Sequence, residues 1–196
     1  TDQILPPGMP GYRNWDLYPL KGPNLKKARA LARGNLRQAN ASLYIRRPIA
    51  EFFARPVAES ARLNLAQIGL EVDIEEVPNI FQRLRTPGEP WDMALIGWFA
   101  DYPDPFNFIN DLLTGDENNF GHFKHAGFQR RMREVAHLVG RKRLGAYALL
   151  ERDLMRRAAP IAPFVVVNDV VFVSSSLGCF AYDAAFGPDL LAMCKK

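Results

Sequence analysis

The fold of this chain is indicated most clearly by residues 91–108, which read WDMALIGWFADYPDPFNF. Met93 to Ile96 form an apolar run that is too short to span a membrane and is typical of a buried strand. The run continues into an aromatic pair, the carboxylate of Asp101 and a proline-rich turn ahead of a predicted helix. Open α/β sheets bind ligands at the carboxyl ends of their strands. The pattern therefore predicts a binding site whose ligand carries a positive charge.

Helices and strands alternate before and within this stretch. Apolar periodicity and capping residues predict a helix at 25–33, with Asn24 as its N-cap, and another at 56–68, with a helical turn at 81–84. Apolar runs and alternation predict strands at 42–45, 70–75 and from 92 onward. This order predicts the α/β class, with a mostly parallel or mixed sheet flanked by helices.

The second half of the sequence reads mainly as helix. The helices are predicted at residues 104–113, 128–138 and 141–158. The apolar runs 164–167 and 170–173, joined by a turn at Asn168–Asp169, predict a strand pair that closes the folded region.

Composition is that of a soluble globular protein, with 48% hydrophobic and 23% charged residues. No apolar run reaches the roughly 20 residues needed to cross a bilayer. The chain begins without Met in a proline-rich stretch, which predicts a fragment of a longer protein, and any signal sequence is expected to lie outside this fragment.

The net charge of +4 raises the question of a nucleic-acid partner. Basic residues cluster at 130–133, 141–143 and 156–157, interleaved with Glu134, Glu151 and Asp153 on predicted helices. A solvated helix face explains this pattern, and no zinc-finger or RNA-binding signature accompanies it. No nucleic-acid partner is expected.

Neither cofactor nor catalytic chemistry is indicated. Cys179 and Cys194 have no metal-ligand spacing, and either a disulfide or two inert thiols fits them. His122 and His125 have HxxH spacing but lack a third ligand, so no metal site is expected. Without a nucleophile elbow or a glycine-rich phosphate loop, the chain is predicted not to be an enzyme.

Asp101 is the main candidate for ligand contact. As a counter-ion for an ammonium group, it would form a charge-assisted hydrogen bond in a dry cleft; alternatively, it is a solvated loop acid. Trp98 and Tyr102 would supply apolar walls and cation–π faces, whereas Phe99 is expected to pack in the core.

The other two acids of this stretch are predicted to be structural. Asp104 precedes a proline at the start of a helix, where a carboxylate caps free N–H groups. Asp92 lies at the opposite end of the strand from the candidate site.

Several blocks resemble one family in order along the chain; they are residues 6–12, 27–31, 57–72, 92–105, 147–151 and 159–163. They resemble the second lobe of the family 5 solute-binding proteins, the peptide-, dipeptide- and nickel-binding components of bacterial ABC importers. One departure is His125-Ala126-Gly127-Phe128-Gln129, where the family often has Asn-Pro-x-Phe-Asp. The capping of the helix that follows is therefore left open.

The resemblance implies one lobe of a two-lobed, periplasmic-binding-protein-like clamshell. Residues 1–23 would be an extended connector from a first lobe, 24–176 the ligand-binding lobe, and 177–196 a C-terminal segment that can return toward the first lobe. In peptide-binding members the equivalent of Asp101 neutralises the ligand's α-amino group, and the equivalent of Trp98 lies at the cleft.

The implied function is to capture a small solute or short peptide and deliver it to ABC permease subunits in the membrane. The protein would be a monomer without a cofactor, located in the periplasm or on the cell surface as a lipoprotein. Two alternatives stay open: a family member that binds a sugar or a metal chelate, and a ligand-sensing lobe fused to a regulatory protein.

Overall fold

The computed structural model describes residues 1–46, 54–115, 117–168, 170–183 and 187–196. The helices are α1 (Leu25–Ala32), α2 (Ala54–Ala66), α3 (Ile80–Arg85), α4 (Phe106–Leu113), α5 (Ala126–Ala136) and α6 (Gly140–Arg157). The strands are β1 (Asn40–Arg46), β2 (Glu71–Val77), β3 (Met93–Ala94), β4 (Leu177–Gly178), β5 (Tyr182–Asp183), β6 (Gly187–Pro188) and β7 (Cys194–Lys195). The chain divides into a sheet unit, residues 19–97, and a helical unit, residues 1–18 and 98–196.

The sheet unit contains three parallel strands in the order β2-β1-β3. In the register, Leu43 of β1 faces Ile74 of β2 on one side and Met93 of β3 on the other. Parallel strands need crossover connections, and α2 supplies the one between β1 and β2. The predicted α/β class with a parallel sheet and flanking helices is confirmed, and the predicted helices and parallel strands differ from the observed ones by a few residues at their ends.

Asp92 fixes the entry of β3 into this sheet. Its carboxylate accepts a 2.8 Å hydrogen bond from the Ser42 N–H, and its own N–H donates to the Ser42 hydroxyl at 3.1 Å. The predicted structural role of Asp92 is confirmed. Beneath these contacts, the core of the unit is built from Leu43, Ile45, Ala58 and Val72.

The helical unit packs α4, α5 and α6 around a larger apolar core. Its fully buried members include Ile109 and Leu113 of α4, Met132 of α5, and Leu150 and Leu154 of α6. α4 is buried along most of its length, because six of its eight residues are buried. Such a helix has little freedom to shift, which makes its polar side chains well-defined anchors for the neighbouring turn.

The N-terminal segment packs against α6. Leu5 is fully buried, and its N–H donates a 2.5 Å hydrogen bond to the carboxylate of Glu151, which is itself fully buried. Gln3 donates to the other oxygen of the same carboxylate at 3.4 Å. The prediction of a solvated helix face is therefore wrong for Glu151. Its partners lie about 150 positions earlier in the chain, where no helical periodicity reveals them.

The predicted strand pair at 164–167 and 170–173 is also wrong. Residues 164–168 and 170–173 form no strand, and side chains such as Phe172, 93% exposed, lie in solvent. β propensity reflects packing on a pleated neighbour, and among the described residues no strand pairs with either run. The turn expected at Asn168–Asp169 includes Asp169, which lies outside the described residues.

The C-terminal segment forms two short antiparallel pairs, β4 with β7 and β5 with β6. Cys179 and Cys194 form a disulfide, which resolves the alternative that the sequence left open. The assignment of residues 1–23, 24–176 and 177–196 to a connector, a ligand-binding lobe and a returning segment stays a prediction. Among the described helices, none has the length and apolar character to cross a bilayer.

Candidate functional site

The candidate site lies in the turn between Trp98 and α4. Exposure alternates along this segment: Trp98 and Ala100 are half-buried against the apolar core, whereas Phe99 and Asp101 point into solvent. The expectation that Phe99 packs in the core is wrong, since its side chain is 73% exposed. In an extended segment, neighbouring side chains lie on opposite faces. Because the Trp98 ring is on the face that packs against the core, the Phe99 ring is on the face exposed to solvent.

Asn107, in the first turn of α4, organises this turn. Its side-chain oxygen accepts hydrogen bonds from the Trp98 indole N–H at 3.2 Å and from the Asp101 backbone N–H at 3.1 Å. Its side-chain NH₂ group donates to the Asp101 carboxylate and to the Asp111 carboxylate, each at 3.0 Å. The buried amide therefore holds Trp98 and Asp101 in one arrangement.

Tyr102 joins the same network through Asp111. Its hydroxyl donates to the Asp111 carboxylate at 3.2 Å, while its ring remains 40% exposed. Partial burial, followed by the negative charge of Asp111 and the hydrogen bond to it, raises the pKa of Tyr102. Its hydroxyl therefore acts as a donor at neutral pH.

Asp104 performs the structural task predicted for it. One carboxylate oxygen accepts the N–H of Phe106, the first residue of α4, at 2.8 Å, although Pro105 rather than Asp104 occupies the N-cap position. Both oxygens also accept from the Arg143 guanidinium, at 2.6 and 2.8 Å. Partial burial alone would raise the pKa of Asp104, but the Arg143 and Phe106 hydrogen bonds outweigh it and lower that pKa.

The two acids of the turn thus differ in what balances their charge. Asp104 is neutralised by Arg143, whereas Asp101 forms no ion pair with any described residue. The Asp101 carboxylate is exposed, and only its Oδ2 is hydrogen bonded within the described part of the chain. It also precedes the N-terminus of α4, where the helix dipole favours negative charge. The arrangement can accept a hydrogen bond from a cationic group of a ligand.

The structure places the three sequence-predicted residues, Trp98, Asp101 and Tyr102, in one connected turn. Sequence reasoning missed Asn107, the residue that connects them. A signal was present, because Asn107 and Asp111 are four positions apart on a helix and so lie on one face. The contacts to Trp98 and Asp101, in contrast, depend on a turn whose path the sequence does not reveal.

Within the described ranges, no group of three or more His, Cys, Asp or Glu side chains is arranged to hold a metal ion. His125 instead caps α5, since its Nδ1 accepts the Phe128 N–H at 3.4 Å. Its ring also meets the Phe128 ring edge-on, with centroids 4.8 Å apart. The capping that the sequence left open is therefore supplied by an imidazole.

Comparison with known proteins places this geometry in context. The family described as "Bacterial extracellular solute-binding proteins, family 5 Middle" matches residues 1–120, which include the whole candidate site. The chain belongs to this family. The resemblance found in the sequence blocks is confirmed.

Curated relatives of this family 5 chain are periplasmic proteins. The periplasmic oligopeptide-binding protein OppA of Salmonella typhimurium is 29% identical over 103 residues, which are 52% of this chain and 19% of OppA. The peptide transport periplasmic protein SapA of Haemophilus influenzae is 29% identical over 128 residues, 61% of this chain and 22% of SapA. The chain thus spans about a fifth of the length of these relatives.

Solved structures share the fold. Clavulanic acid biosynthesis oligopeptide binding protein 2 matches with a TM-score of 0.82 at 23% identity, covering 100% of this chain and 38% of that protein. The dipeptide binding protein from Pseudoalteromonas sp. SM9913 in complex with Met-Leu matches with a TM-score of 0.72 at 21% identity, covering 100% and 40%. The chain therefore shares its fold with an oligopeptide-binding and a dipeptide-binding protein, which agrees with the predicted fold class.

Proposed function

We propose that this chain contributes a ligand-binding lobe to the solute-binding component of an ABC importer. The solute would be a short peptide or another amine-bearing molecule, bound in a cleft with a second lobe. Family membership and the periplasmic relatives support this proposal. They equally support an extracytoplasmic location, permease subunits in the membrane as partners, and binding without catalysis.

The observation that carries the proposal is that the Asp101 carboxylate is available to a ligand. Its carboxylate is exposed, held by Asn107 at one oxygen, and not paired with a cation among the described residues. A ligand ammonium group would complete its hydrogen bonds and neutralise its charge. Trp98 and Tyr102, held in the same network, would border the ammonium with aromatic faces.

The test is calorimetry on the full-length protein with a pool of unmodified di- to pentapeptides and with the same pool after N-acetylation. Acetylation removes the positive charge of the amine but leaves the peptide backbone intact. We expect wild type to prefer the unmodified pool, and Asp101→Ala to weaken its binding by about tenfold or more. Affinity for the acetylated pool should change little.

Glu134→Gln is the matched control, because it removes one negative charge from an exposed position of α5. It should leave both affinities unchanged. Equal binding of the two pools by wild type would overturn the proposed amine recognition. Unchanged affinity in Asp101→Ala would remove Asp101 from the site.

A further inference from the structure

Asn107 is a buried amide whose hydrogen-bonding capacity is completely used. The residue is 1% exposed, and an Asn side chain can accept two hydrogen bonds and donate two. All four are formed here, with donors to the oxygen and carboxylates at the nitrogen. Each partner lies outside the backbone of α4, so these bonds are not needed to form the helix itself.

The orientation of this amide follows from its partners. Rotating it by half a turn would place the oxygen of Asn107 against the carboxylates of Asp101 and Asp111, and its NH₂ group against two N–H donors. All four contacts would then be repulsive. The network therefore has one arrangement, and with it the Asp101 carboxylate and the Trp98 indole have one relative position.

We propose that Asn107 is the positioning residue of the ligand site. It would act through Asp101 and Trp98, directing the Oδ1 atom of Asp101 toward the ligand ammonium and holding the indole ring beside it. This inference rests on the function proposed above and adds to it the residue that determines selectivity for a free amine.

The hydrogen bonds of Asn107 distinguish a positioning role from simple packing. Asn107 bonds to both the backbone N–H and the carboxylate of Asp101, so it fixes the main chain and the charged group together. An apolar side chain of similar size would fill the same space but leave that carboxylate free to rotate into solvent. Preorganised groups bind more tightly because less freedom is lost on binding.

Asn110 offers a matched control on the same helix. It is 4% exposed, and its side chain donates to the Met132 carbonyl at 3.3 Å and accepts from the Tyr147 hydroxyl at 2.8 Å. It therefore supports the packing of α4 against α5 and α6, and these two hydrogen bonds do not involve the candidate ligand residues. Substituting Asn110 should lower stability but leave ligand selectivity intact.

The experiment measures amine preference, defined as the ratio of the dissociation constants for the N-acetylated and unmodified di- to pentapeptide pools. It compares full-length wild type with Asn107→Ala, Asn107→Ser, Asn110→Ala and Asn110→Ser. We expect Asn107→Ala to lower the preference by about tenfold, the size expected for a lost hydrogen bond to a charged group. Asn107→Ser should lower it less, because its hydroxyl can still bond to one partner.

A second readout needs no ligand. The indole N–H resonance of Trp98 should shift in both Asn107 variants and stay in place in both Asn110 variants, because Asn107 is the only described residue that bonds to that group. If Asn107→Ala does not fold, as judged by circular dichroism, the serine variant decides.

The outcomes distinguish this inference from the function on which it rests. A wild-type preference that persists in the Asn107 variants overturns the positioning role and leaves the amine-binding function intact. A preference lost equally in the Asn110 variants overturns it as well, since general destabilisation then explains the loss. A wild type without any preference overturns the proposed function, and the positioning role with it.

Discussion

Arg143 and Asp104 form a two-point ion pair between α6 and the start of α4. Its two hydrogen bonds measure 2.6 and 2.8 Å, and the side chains are only 17% and 31% exposed. The guanidinium also lies over the Tyr147 ring, 4.9 Å from its centroid. The pair thus links the capped end of α4, which follows the candidate site, to the longest helix of the unit.

Arg143→Lys should therefore destabilise the protein. An ammonium group cannot reproduce the planar, two-point contact with Asp104, and we expect a loss of about 1 to 2 kcal/mol in the free energy of unfolding at neutral pH. Urea denaturation measures this loss. Arg141→Lys, at an exposed position of the same helix, should cost less than about 0.5 kcal/mol. Equal stability of the two variants would contradict a structural role for the pair.

The contribution of the Arg143–Asp104 pair to stability should depend on pH. Because the pKa of Asp104 is lowered in the folded state, its contribution to stability is present above the ordinary carboxyl pKa and is lost as pH falls through the folded value. The difference between wild type and Arg143→Lys should accordingly shrink in acid.

The sheet was predictable because its signals are local. β1 and β2 combine β-branched or aromatic residues with alternation. A helix with clear apolar periodicity lies between these two strands, and this order predicts that they run parallel. Residues 164–167 and 170–173 carry an equally strong apolar signal but form no strand. Whether such a run pairs depends on a neighbour, and a neighbour is not encoded in the run itself.

The candidate site was predictable in part. Asp101 was distinguished by its position after an apolar strand, and Asp104 by its position before a proline. Asn107 was missed because asparagine within a helix usually reads as a weak helix former. Its role arises from a turn that brings Trp98 and Asp101 onto its amide, and Glu151 was misread for the same reason, since its partners come from the distant N-terminal segment.

The disulfide between Cys179 and Cys194 should be fully formed in the purified protein, so that alkylation without a reductant labels neither thiol. Removing it with the double substitution Cys179→Ala and Cys194→Ala should cost about 3 kcal/mol by the loop-closure relation. Thermal unfolding measures the change.

A substitution at Gly178 tests how closely the chain packs around the Cys179–Cys194 disulfide. A Cβ at Gly178 would lie 2.9 Å from the Sγ of Cys194 and 3.2 Å from the Cγ of Lys196. Gly178→Ala should therefore destabilise wild type but be better tolerated when Cys194 is alanine. Gly145→Ala, in open space on α6, is the control and should be neutral or slightly stabilising. Equal effects of Gly178→Ala in both backgrounds would contradict the close approach.

Glu151 should make stability fall as pH rises. Burial raises its pKa from 4.5 to about 7, against the opposing hydrogen bonds from the backbone of Leu5 and Ile4. Between these values the unfolded state has lost the proton that the folded state keeps, so the free energy of unfolding decreases over that window and levels off above it. The full change is about 3 kcal/mol.

Glu151→Gln should remove this dependence, because an amide stays neutral while its oxygen can still accept the Leu5 N–H. We expect the variant to match or exceed wild type in stability above about pH 7, where wild type carries a buried charge. Urea denaturation at a series of pH values measures both slopes. Glu134→Gln, exposed on α5, should keep the wild-type slope. If Glu151→Gln loses stability across the window as steeply as wild type does, then another group is responsible for the pH dependence.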